Sequence, residues 1–393
     1  MTNLWYKNDP RYFWCFEPDL PDEIWGEAIN QALPLLGLPG KMAIEAALEW
    51  TLGERRFGPD HYHLGFTRRL YYRLKPLLPN SLTHPLRQAY RRIQEKDHQL
   101  GWPVESRFAQ FQWEIVRQVM LLSESQELAF KNFWPGRKRF SLVLTHDVET
   151  AEGQAFVEAV ADLEEGLGFR SSFNFVPERY KLNYKLMDNL RQRGFEVGVH
   201  GFRHDGRLFN SKSSFEKKAE IINECLKEWN ALGFRAELTH RQPEWMQALD
   251  IEYDLSFFDT DPFEPIPGGT MSIWPFFIGH FVELPYTLVQ DHTLTSVLGE
   301  NSPRIWLEKV DFIEKYHGMA LVITHPDYLK SKPTLDVYYE FLNTMKKHDS
   351  YWSALPSEVA RWWKSRIASS EASKLGVNLC KVLLDGKDIK IEV

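Results

Sequence analysis

The chain has 393 residues, of which 43% are hydrophobic and 14% aromatic, which excludes an intrinsically disordered protein and leaves room for two structural regions. The 54 acidic and 47 basic residues give a net charge of −7 at pH 7, so the charge balance does not indicate a nucleic-acid partner. Three widely spaced cysteines argue against a disulfide scaffold and favour a reducing compartment.

No targeting or membrane signal is visible in the sequence. The first residues, MTNLWYKNDPRYF, lack the basic segment and the apolar run of a signal peptide. No uncharged apolar stretch reaches the roughly 18 residues that a membrane-spanning helix needs. We therefore expect a cytoplasmic protein.

Residues 1–138 have the pattern of a mainly helical region. Apolar residues recur at helical spacing in residues 41–55, 66–78 and 105–122. Residues 66–94 also form a basic segment with interleaved aromatic residues. That segment predicts either a solvated helix face or a peripheral contact with an anionic membrane.

Strand and helix signals alternate from residue 139 onward. Apolar, β-prone runs predict strands at residues 142–144, 172–176, 195–199, 234–238, 282–284 and 319–323. Helical spacing predicts helices at residues 152–165, 183–193, 214–232 and 304–316. Gly194 and Gly233 are placed to end the second and third of these helices. The alternation predicts parallel strands with helices outside, in an α/β barrel or an open doubly wound sheet.

The C-terminal tail has a different pattern. In VNLCKVLLDGKDIKIEV, two alternating runs flank Asp385 and Gly386, which predicts a β-hairpin. Because an isolated hairpin is only marginally stable in water, we expect it to pair with another part of the chain. The sequence thus divides into a helical region (1–138), an α/β region (139–365) and a tail (366–393).

Titratable residues follow three of the predicted strands. Asp147 follows the first strand, His200 ends the third, and His325 follows the last. Because strand ends in an α/β barrel open onto one face, where active sites lie, we expect these side chains to face a common site. His200 and His204 also have an H-x-x-x-H spacing that suits one metal ion, although on spacing alone surface or hydrogen-bonded histidines are more common.

A carboxylate pair after the first strand strengthens the metal interpretation. Asp147 and Glu149 can supply a third ligand and an uncoordinated base. Two histidines and one carboxylate leave room for a water molecule on a divalent ion.

Three motifs resemble those of the polysaccharide deacetylases, also called the NodB-homology family or carbohydrate esterase family 4. THDVE at 145–149 is similar to the first motif of the family, HGFRH at 200–204 to the second, and THPD at 324–327 to the last. The resemblance covers residues 140–330. It implies a distorted (β/α) barrel, a divalent metal and hydrolysis of N- or O-acetyl groups on sugars.

The resemblance also implies a role for each matching residue. Glu149, His200 and His204 would hold the metal, which we expect to be zinc, with cobalt, nickel or manganese as alternatives. Asp147 would act as the general base, and His325 as the general acid.

The sequence departs from the family pattern in two motifs. Val148 stands where the second Asp of the first motif is usual, and metal binding would therefore shift to Glu149. The Arg motif is divided between Arg235, in a Gly-Phe-Arg context, and Arg241, which has a Pro two residues later. Either arginine could keep Asp147 ionised and oriented.

Other residues are candidates for supporting roles. Asp291 is a candidate partner for His325, although a strand-end turn is an equal alternative. The Pro/Gly-rich loop at 257–269 carries carboxylates among aromatic residues and could line a glycan groove, although it could also be an ordinary connection. The expected sugar contacts are Asp259, Asp261, Phe263 and Trp245.

The sequence therefore predicts a metal-dependent hydrolase that removes an acetyl group from a sugar, a glycan or a glycan precursor. Two alternatives stay open. One is a hydrolase of another non-peptide C–N bond on the same scaffold, because a fold does not determine its substrate. The other is a barrel that binds glycans without turnover.

Overall fold

The computed structural model describes residues 3–59, 61–62, 98–368, 379–386 and 388–392. The predicted helix at 66–78 and the basic segment at 66–94 lie outside the described residues. The described parts form a helical N-terminal region, a curled sheet surrounded by helices, and a small second sheet.

The described residues of the N-terminal region are mainly helical, as predicted. Its α-helices among the described residues are α1 (Pro10–Trp14), α2 (Asp22–Ala32), α3 (Ile44–Thr51) and α4 (Arg107–Leu122). Helix α4 buries one apolar face, which includes Phe111, Ile115 and Val119, and packs against α2. Strand β1 (Glu127–Lys131) follows α4 and had no clear signal in the sequence.

The chain from Phe140 onward builds a nine-stranded sheet. Its strands are β2 (Phe140–Val148), β3 (Ser172–Phe175), β4 (Glu196–His200), β5 (Gly233–Arg235), β6 (Tyr253–Asp254), β7 (Phe276–Ile278), β8 (Phe281–Glu283), β9 (Met319–Thr324) and β10 (Tyr351–Ser353). The order is β10-β2-β3-β4-β5-β6-β8-β7. Strand β9 also pairs with β2, on the edge opposite β3. Every pair is parallel except β7 with β8.

The sheet curls until its two sides meet. Beyond β8, Tyr286 continues the pairing with the β6 side through a parallel bridge to Phe258. Leu288 then forms a parallel bridge with Val322 of β9, which joins the two sides of the sheet. The strands therefore enclose a distorted (β/α) barrel. This arrangement confirms the predicted fold class.

Strand β2 lies at the centre of the sheet and is longer than predicted. All nine of its residues are buried, as expected for a parallel strand that is covered on both sides. The sequence indicated only residues 142–144 because polar residues end the apolar run. Those polar residues are paired inside the protein: Thr145 Oγ1 donates to the carbonyl of Val322 at 2.8 Å, and His146 lies 2.7 Å from Glu164.

Helices cover the outside of the barrel. They are α5 (Ala151–Gln154), α6 (Val157–Leu167), α7 (Tyr184–Gln192), α8 (Lys212–Glu228), α9 (Pro243–Met246), α10 (Arg304–Lys315), α11 (Pro326–Leu329), α12 (Lys332–Met345) and α13 (Pro356–Ile367). The helix predicted at 152–165 is thus divided into α5 and α6.

Gly233 does not cap a helix, contrary to the prediction. Helix α8 ends at Glu228, and Gly233 is the first residue of β5. A Cβ atom at Gly233 would lie 1.9 Å from a ring carbon of Tyr253. The glycine is therefore required for close packing between β5 and β6 rather than for a helix end.

The C-terminal hairpin forms and has a partner, as predicted. Strands β11 (Leu379–Asp385) and β12 (Asp388–Glu392) are antiparallel, and β11 also pairs with β1. The sheet order is β1-β11-β12, with Cys380 opposite Phe130. The tail therefore adds two strands to β1, which belongs to the N-terminal region.

The N-terminal segment covers one edge of the barrel sheet. The Asn8 side chain donates to the carbonyl of Phe277 at 2.8 Å and accepts from the Phe277 N–H at 2.7 Å. Gly279 N donates to the carbonyl of Leu4. These contacts satisfy the exposed edge of β7, which would otherwise be free to pair with another chain.

None of the described helices is long and apolar enough to cross a membrane. The predicted division at residues 138 and 365 stays a prediction.

Candidate active site

Polar residues from four strands meet at the carboxyl end of the barrel. Asp147 lies near the end of β2, and Glu149 follows that strand directly. His200 ends β4, Arg235 ends β5, and His325 follows β9. Because β2, β4, β5 and β9 run parallel within one sheet, their last residues lie on the same side of the barrel.

Glu149, His200 and His204 form the candidate metal centre. One ligand atom from each residue lies within 4.8 Å of the other two. Glu149 Oε1 is 2.8 Å from Nε2 of His204 and 3.8 Å from Nε2 of His200. The buried Nε2 of His200 has no hydrogen-bond partner in the described part of the chain.

The other ring nitrogen of His200 supports the same assignment. Nδ1 lies 3.1 Å from the carbonyl oxygen of Arg235. A carbonyl can only accept, so it holds the proton on Nδ1 and leaves the lone pair of Nε2 directed at the centre. Two imidazoles and one carboxylate are a donor set that suits a divalent ion such as zinc.

The protonation states in this cluster also favour a cation. Burial raises the pKa of Glu149, but the neighbouring His204, together with His200 and His325, outweighs burial and holds that pKa well below its usual range. Burial lowers the pKa of His204, and Glu149 raises it above its ordinary value. The carboxylate is therefore ionised and available as a ligand.

The H-x-x-x-H motif lies in a loop and not on a helix. Gly201 and His204 have φ angles of 58° and 52°, both in the left-handed region. For a residue with a Cβ atom this conformation costs about 1–2 kcal/mol. In the loop after β4, these two left-handed residues turn the chain so that His204 lies beside Glu149.

Asp147 is held by an arginine and an amide. Nη1 of Arg235 donates to Oδ1 of Asp147 at 2.9 Å, and Asn174 Nδ2 donates to the same oxygen at 3.1 Å. Burial raises the pKa of Asp147, but Arg235, His200 and His325 together outweigh burial, and the pKa lies at about 2. Its other oxygen, Oδ2, lies 3.9 Å from Nε2 of His200, on the side of the metal centre.

His325 and Asp291 form a second buried pair. Asp291 Oδ1 lies 2.8 Å from Nδ1 of His325, and Asp291 Oδ2 accepts from the His325 backbone N–H at 2.8 Å. Burial lowers the pKa of His325, but the Asp291 carboxylate outweighs burial and raises it to about 10. Nε2 of His325 lies 3.7 Å from Glu149 Oε1, so a protonated imidazole faces the same centre.

The structure places Arg241 away from Asp147. Its Nε and Nη2 each donate to the carboxylate of Glu54 at 2.7 Å, and both side chains are fully buried. Arg241 therefore joins the N-terminal region to the loop after β5. Arg235 is the arginine that contacts Asp147.

The four expected sugar contacts occupy different environments. Asp259 is buried and pairs with Lys309 at 2.5 Å, and Asp261 is buried against Tyr286. Trp245 stacks on Phe209 at a ring-centroid distance of 6.3 Å.

Phe263 is the expected sugar contact next to the N-terminal region. It is half-buried, and its ring packs edge-to-face on Trp102. Phe263 is therefore the one residue of this set that joins the loop after β6 to the N-terminal region through its ring.

Two polar residues near the centre were missed in the sequence. Asn174 in SFNF could have been found because β3 is the neighbour of β2 and Asn174 is in register with Asp147. Glu237 follows β5 and is fully buried, with Oε2 lacking a hydrogen-bond partner among the described residues. Burial raises the pKa of Glu237, and His204 opposes the rise.

Comparison with solved structures supports the fold. A protein described as a polysaccharide deacetylase from Mycobacterium smegmatis matches at 16% identity and a TM-score of 0.51, covering 60% of this chain and 94% of that one. Puue allantoinase matches at 15% identity and 0.50, covering 60% and 93%. A protein described as a polysaccharide deacetylase from Pseudomonas aeruginosa PAO1 matches at 16% and 0.50, covering 59% and 93%.

No protein-family model and no curated protein sequence matches the chain. The structural matches establish the fold. The chain has the barrel fold of the polysaccharide deacetylases that its motifs resemble.

Proposed function

We propose that the protein is a metal-dependent hydrolase that removes an acetyl group from a sugar, a glycan or a glycan precursor. One observation carries the proposal: a base, a metal donor set and a protonated acid surround one point. His200 Nε2 lies 3.9 Å from Asp147, and Glu149 Oε1 lies 3.8 Å from His200 and 3.7 Å from His325.

Glu149, His200 and His204 would hold the divalent ion, for which zinc is our expectation and cobalt, nickel and manganese are alternatives. When bound, such an ion polarises an acyl carbonyl and lowers the pKa of a coordinated water. The remaining chemistry belongs to side chains of the chain itself.

Asp147 is suited to act as the general base. Its carboxylate is kept ionised by Arg235 together with His200 and His325, and its Oδ2 faces the candidate metal centre. It would take a proton from the attacking water. Arg235 and Asn174 both hold Oδ1, which leaves the direction of Oδ2 fixed.

His325 is suited to act as the general acid. Asp291 keeps its imidazole protonated and fixes its orientation through Nδ1. Nε2 would give a proton to the departing amine or alcohol as the bond to the acyl carbon breaks. The products are acetate and the free amine or hydroxyl group of the sugar.

A second candidate function is hydrolysis of another non-peptide C–N bond. The structural match to an allantoinase, at a TM-score of 0.50, favours this alternative. A barrel that binds glycans without turnover is the third candidate. The pairing of Arg235 with Asp147 and of Asp291 with His325 supports an enzyme, because simple binding requires neither pair.

The proposal is tested by measuring acetate release from a panel of N- and O-acetylated sugars. The metal-depleted protein is compared before and after zinc, cobalt, nickel or manganese is added. We expect metal-dependent release that Asp147→Asn reduces about 10²- to 10⁴-fold. Allantoin in the same assay tests the second function. Binding of the sugars without release would contradict an enzymatic role.

The cytoplasmic location and the peripheral membrane contact through residues 66–94 stay predictions from the sequence.

A further inference from the structure

A side-chain hydrogen bond joins β2 and β9 directly before the candidate base and acid. Nδ1 of His146 lies 2.7 Å from Oγ1 of Thr324, and the two residues are opposite each other in the parallel ladder. They form the last of the six residue pairs between the two strands. Asp147 and His325 come next along the chain, so this bond lies directly beside the residues that carry the proposed acid–base chemistry.

A buried carboxylate holds His146 from the other side. Nε2 of His146 lies 2.7 Å from Oε1 of Glu164, in helix α6. The same carboxylate accepts from the Tyr338 hydroxyl of helix α12 at 2.5 Å and from the Ser171 hydroxyl at 2.6 Å. All of these side chains, with Thr324, are fully buried. The network therefore ties the ends of two strands to two of the helices that cover the barrel.

The bonds of this network have a fixed direction. The Glu164 carboxylate can only accept, so it holds the proton of the neutral imidazole on Nε2 of His146. Nδ1 is then an acceptor, and the Thr324 hydroxyl donates to it. The network thus sets the orientation of the Thr324 side chain as well as its distance from β2.

Packing alone does not require a histidine in this position. Side chains alternate between the two faces of a strand, so His146 shares the outer face of β2 with Leu142, Leu144 and Val148, which are apolar and buried. The ring of His146 also stacks on Phe173, with centroids 4.4 Å apart. An apolar side chain would suit these surroundings without a buried polar group to satisfy. What the histidine adds is a directional bond to the neighbouring strand.

The separation of the two strands at this level determines the distance between the candidate base and acid. Asp147 and His325 both face the candidate metal centre, on the opposite face of the sheet from His146 and Thr324. Acid–base chemistry needs its groups within about 0.5 Å of the productive geometry. A misplacement of about 1 Å can reduce the rate about 10²-fold.

We infer that His146, Thr324 and Glu164 are positioning residues that hold the general base and the general acid at their working separation. The inference rests on the proposed function. It adds to the site three residues on the outer face of the barrel wall, which act through Asp147 and His325. Sequence analysis assigned no role to any of the three.

Thr324→Val tests the inference, because valine keeps the shape of threonine and removes the hydroxyl. In the folded variant, kcat for acetate release should fall about tenfold, with KM and metal content unchanged. Both limbs of the pH profile should stay at their wild-type pH, since Arg235 and Asp291 keep their contacts with the base and the acid. Thr324→Ser should recover most of the lost kcat, because the hydroxyl remains.

Thr287→Val is the matched control, at the other end of β9. Thr287 is buried, and its hydroxyl donates to the carbonyl of Met319 at 2.9 Å and accepts from the Leu321 N–H at 3.0 Å. Removing this hydroxyl should lower the stability of the protein to urea and leave kcat unchanged. The inference is overturned if Thr324→Val keeps the wild-type kcat, if both valine variants lose kcat equally, or if Thr324→Ser recovers none of it.

Failure of the proposed function would give a different result. If the wild type releases acetate from no acetylated sugar, hydrogen exchange of the backbone amides still tests the network. Thr324→Val should speed exchange at the carboxyl ends of β2 and β9 about tenfold, and Thr287→Val should not. That result would support the positioning role of the network although the proposed function had failed. Equal exchange in the wild type and Thr324→Val would overturn it.

Discussion

Arg235 donates through Nη1 to Oδ1 of Asp147 at 2.9 Å, and both side chains are buried inside the barrel. The same nitrogen also donates to Thr145 Oγ1 at 3.0 Å, and Nε donates to the carbonyl of Leu255 at 3.0 Å. The guanidinium is thereby fixed by several parts of the barrel wall. Among the groups that keep this buried carboxylate ionised beside the candidate metal centre, Arg235 has the largest effect.

Arg235→Gln should raise the pKa of Asp147, because Arg235 is the strongest of the groups that oppose the effect of burial on this carboxyl. A base with a raised pKa is protonated over more of the acidic range, so the acid limb of kcat/KM should move to higher pH. We also expect kcat at pH 7 to fall about 10- to 100-fold, since the base is less well oriented. A pH profile of acetate release measures both effects.

The matched control is Arg203→Gln. Arg203 is an exposed arginine in the loop between His200 and His204, and it pairs with Glu178. An unchanged acid limb in Arg235→Gln, or the same shift in both variants, would contradict the assignment of Arg235.

Asp291→Asn should lower the pKa of His325 from about 10, since burial lowers it and Asp291 is the main group that raises it. A general acid must be protonated, so the alkaline limb of kcat/KM should move to lower pH in the variant. The measurement is kcat/KM between pH 6 and 10. If Asp291→Asn leaves the alkaline limb at its wild-type pH, His325 is not the general acid.

Gly198→Ala should impair the base without removing the metal. A Cβ atom at Gly198 would lie 2.2 Å from Oδ1 of Asn174, so Asn174 must shift and lose its bond to Asp147. We expect kcat to fall about tenfold with metal content unchanged. Gly166→Ala in helix α6 is the control, because nothing lies within 4 Å of its Cβ position. Equal kcat values for Gly198→Ala and Gly166→Ala would contradict the proposed role of Asn174.

The convergence of the main candidate residues could be predicted because their signal is local. Asp147 lies near the end of a strand, His200 ends one and His325 follows one, and parallel strands bring such positions together in any α/β barrel. The sequence needed only the strand positions and not the details of packing. The fold class could be predicted for the same reason.

The choice between Arg235 and Arg241 could not be made from the sequence. Between them, Leu238 and Thr239 both adopt left-handed conformations, with φ of 56° and 52°, and neither is a glycine. This turn carries Arg241 to Glu54, which is 187 residues away in the sequence. No local pattern indicates such a partner.

The expected sugar contacts show the same limit. Asp259 in a Pro/Gly-rich loop has the appearance of an accessible carboxylate, but Lys309 pairs with it in the interior. Burial raises the pKa of Asp259 to about 6, and Lys309 opposes the rise. Burial of a loop is decided by distant segments that pack over it, here including residues 98–103.

The Glu54–Arg241 pair should matter strongly for stability. Glu54→Ala would leave the fully buried guanidinium of Arg241 without its carboxylate, and breaking such a pair costs about 3–5 kcal/mol. Urea denaturation of both proteins measures the loss. Glu49→Ala, which breaks an exposed pair with Arg55, is the control and should cost about 0–1 kcal/mol.

The double variant Glu54→Leu with Arg241→Met should recover much of that loss, because neither charge is then buried alone. A loss in Glu54→Ala no larger than in Glu49→Ala would contradict the buried pair.

The most direct test of the account is the metal content of the protein, by elemental analysis after purification without added metal or an affinity tag. We expect about one equivalent of a divalent ion in the wild type. We expect the same in the control variant His348→Ala, because His348 is partly exposed and pairs with Glu314 away from the candidate metal centre. We expect less than about a tenth of an equivalent in His200→Ala. A full equivalent in His200→Ala, or none in the wild type after incubation with zinc, cobalt or nickel, would contradict the metal centre of Glu149, His200 and His204.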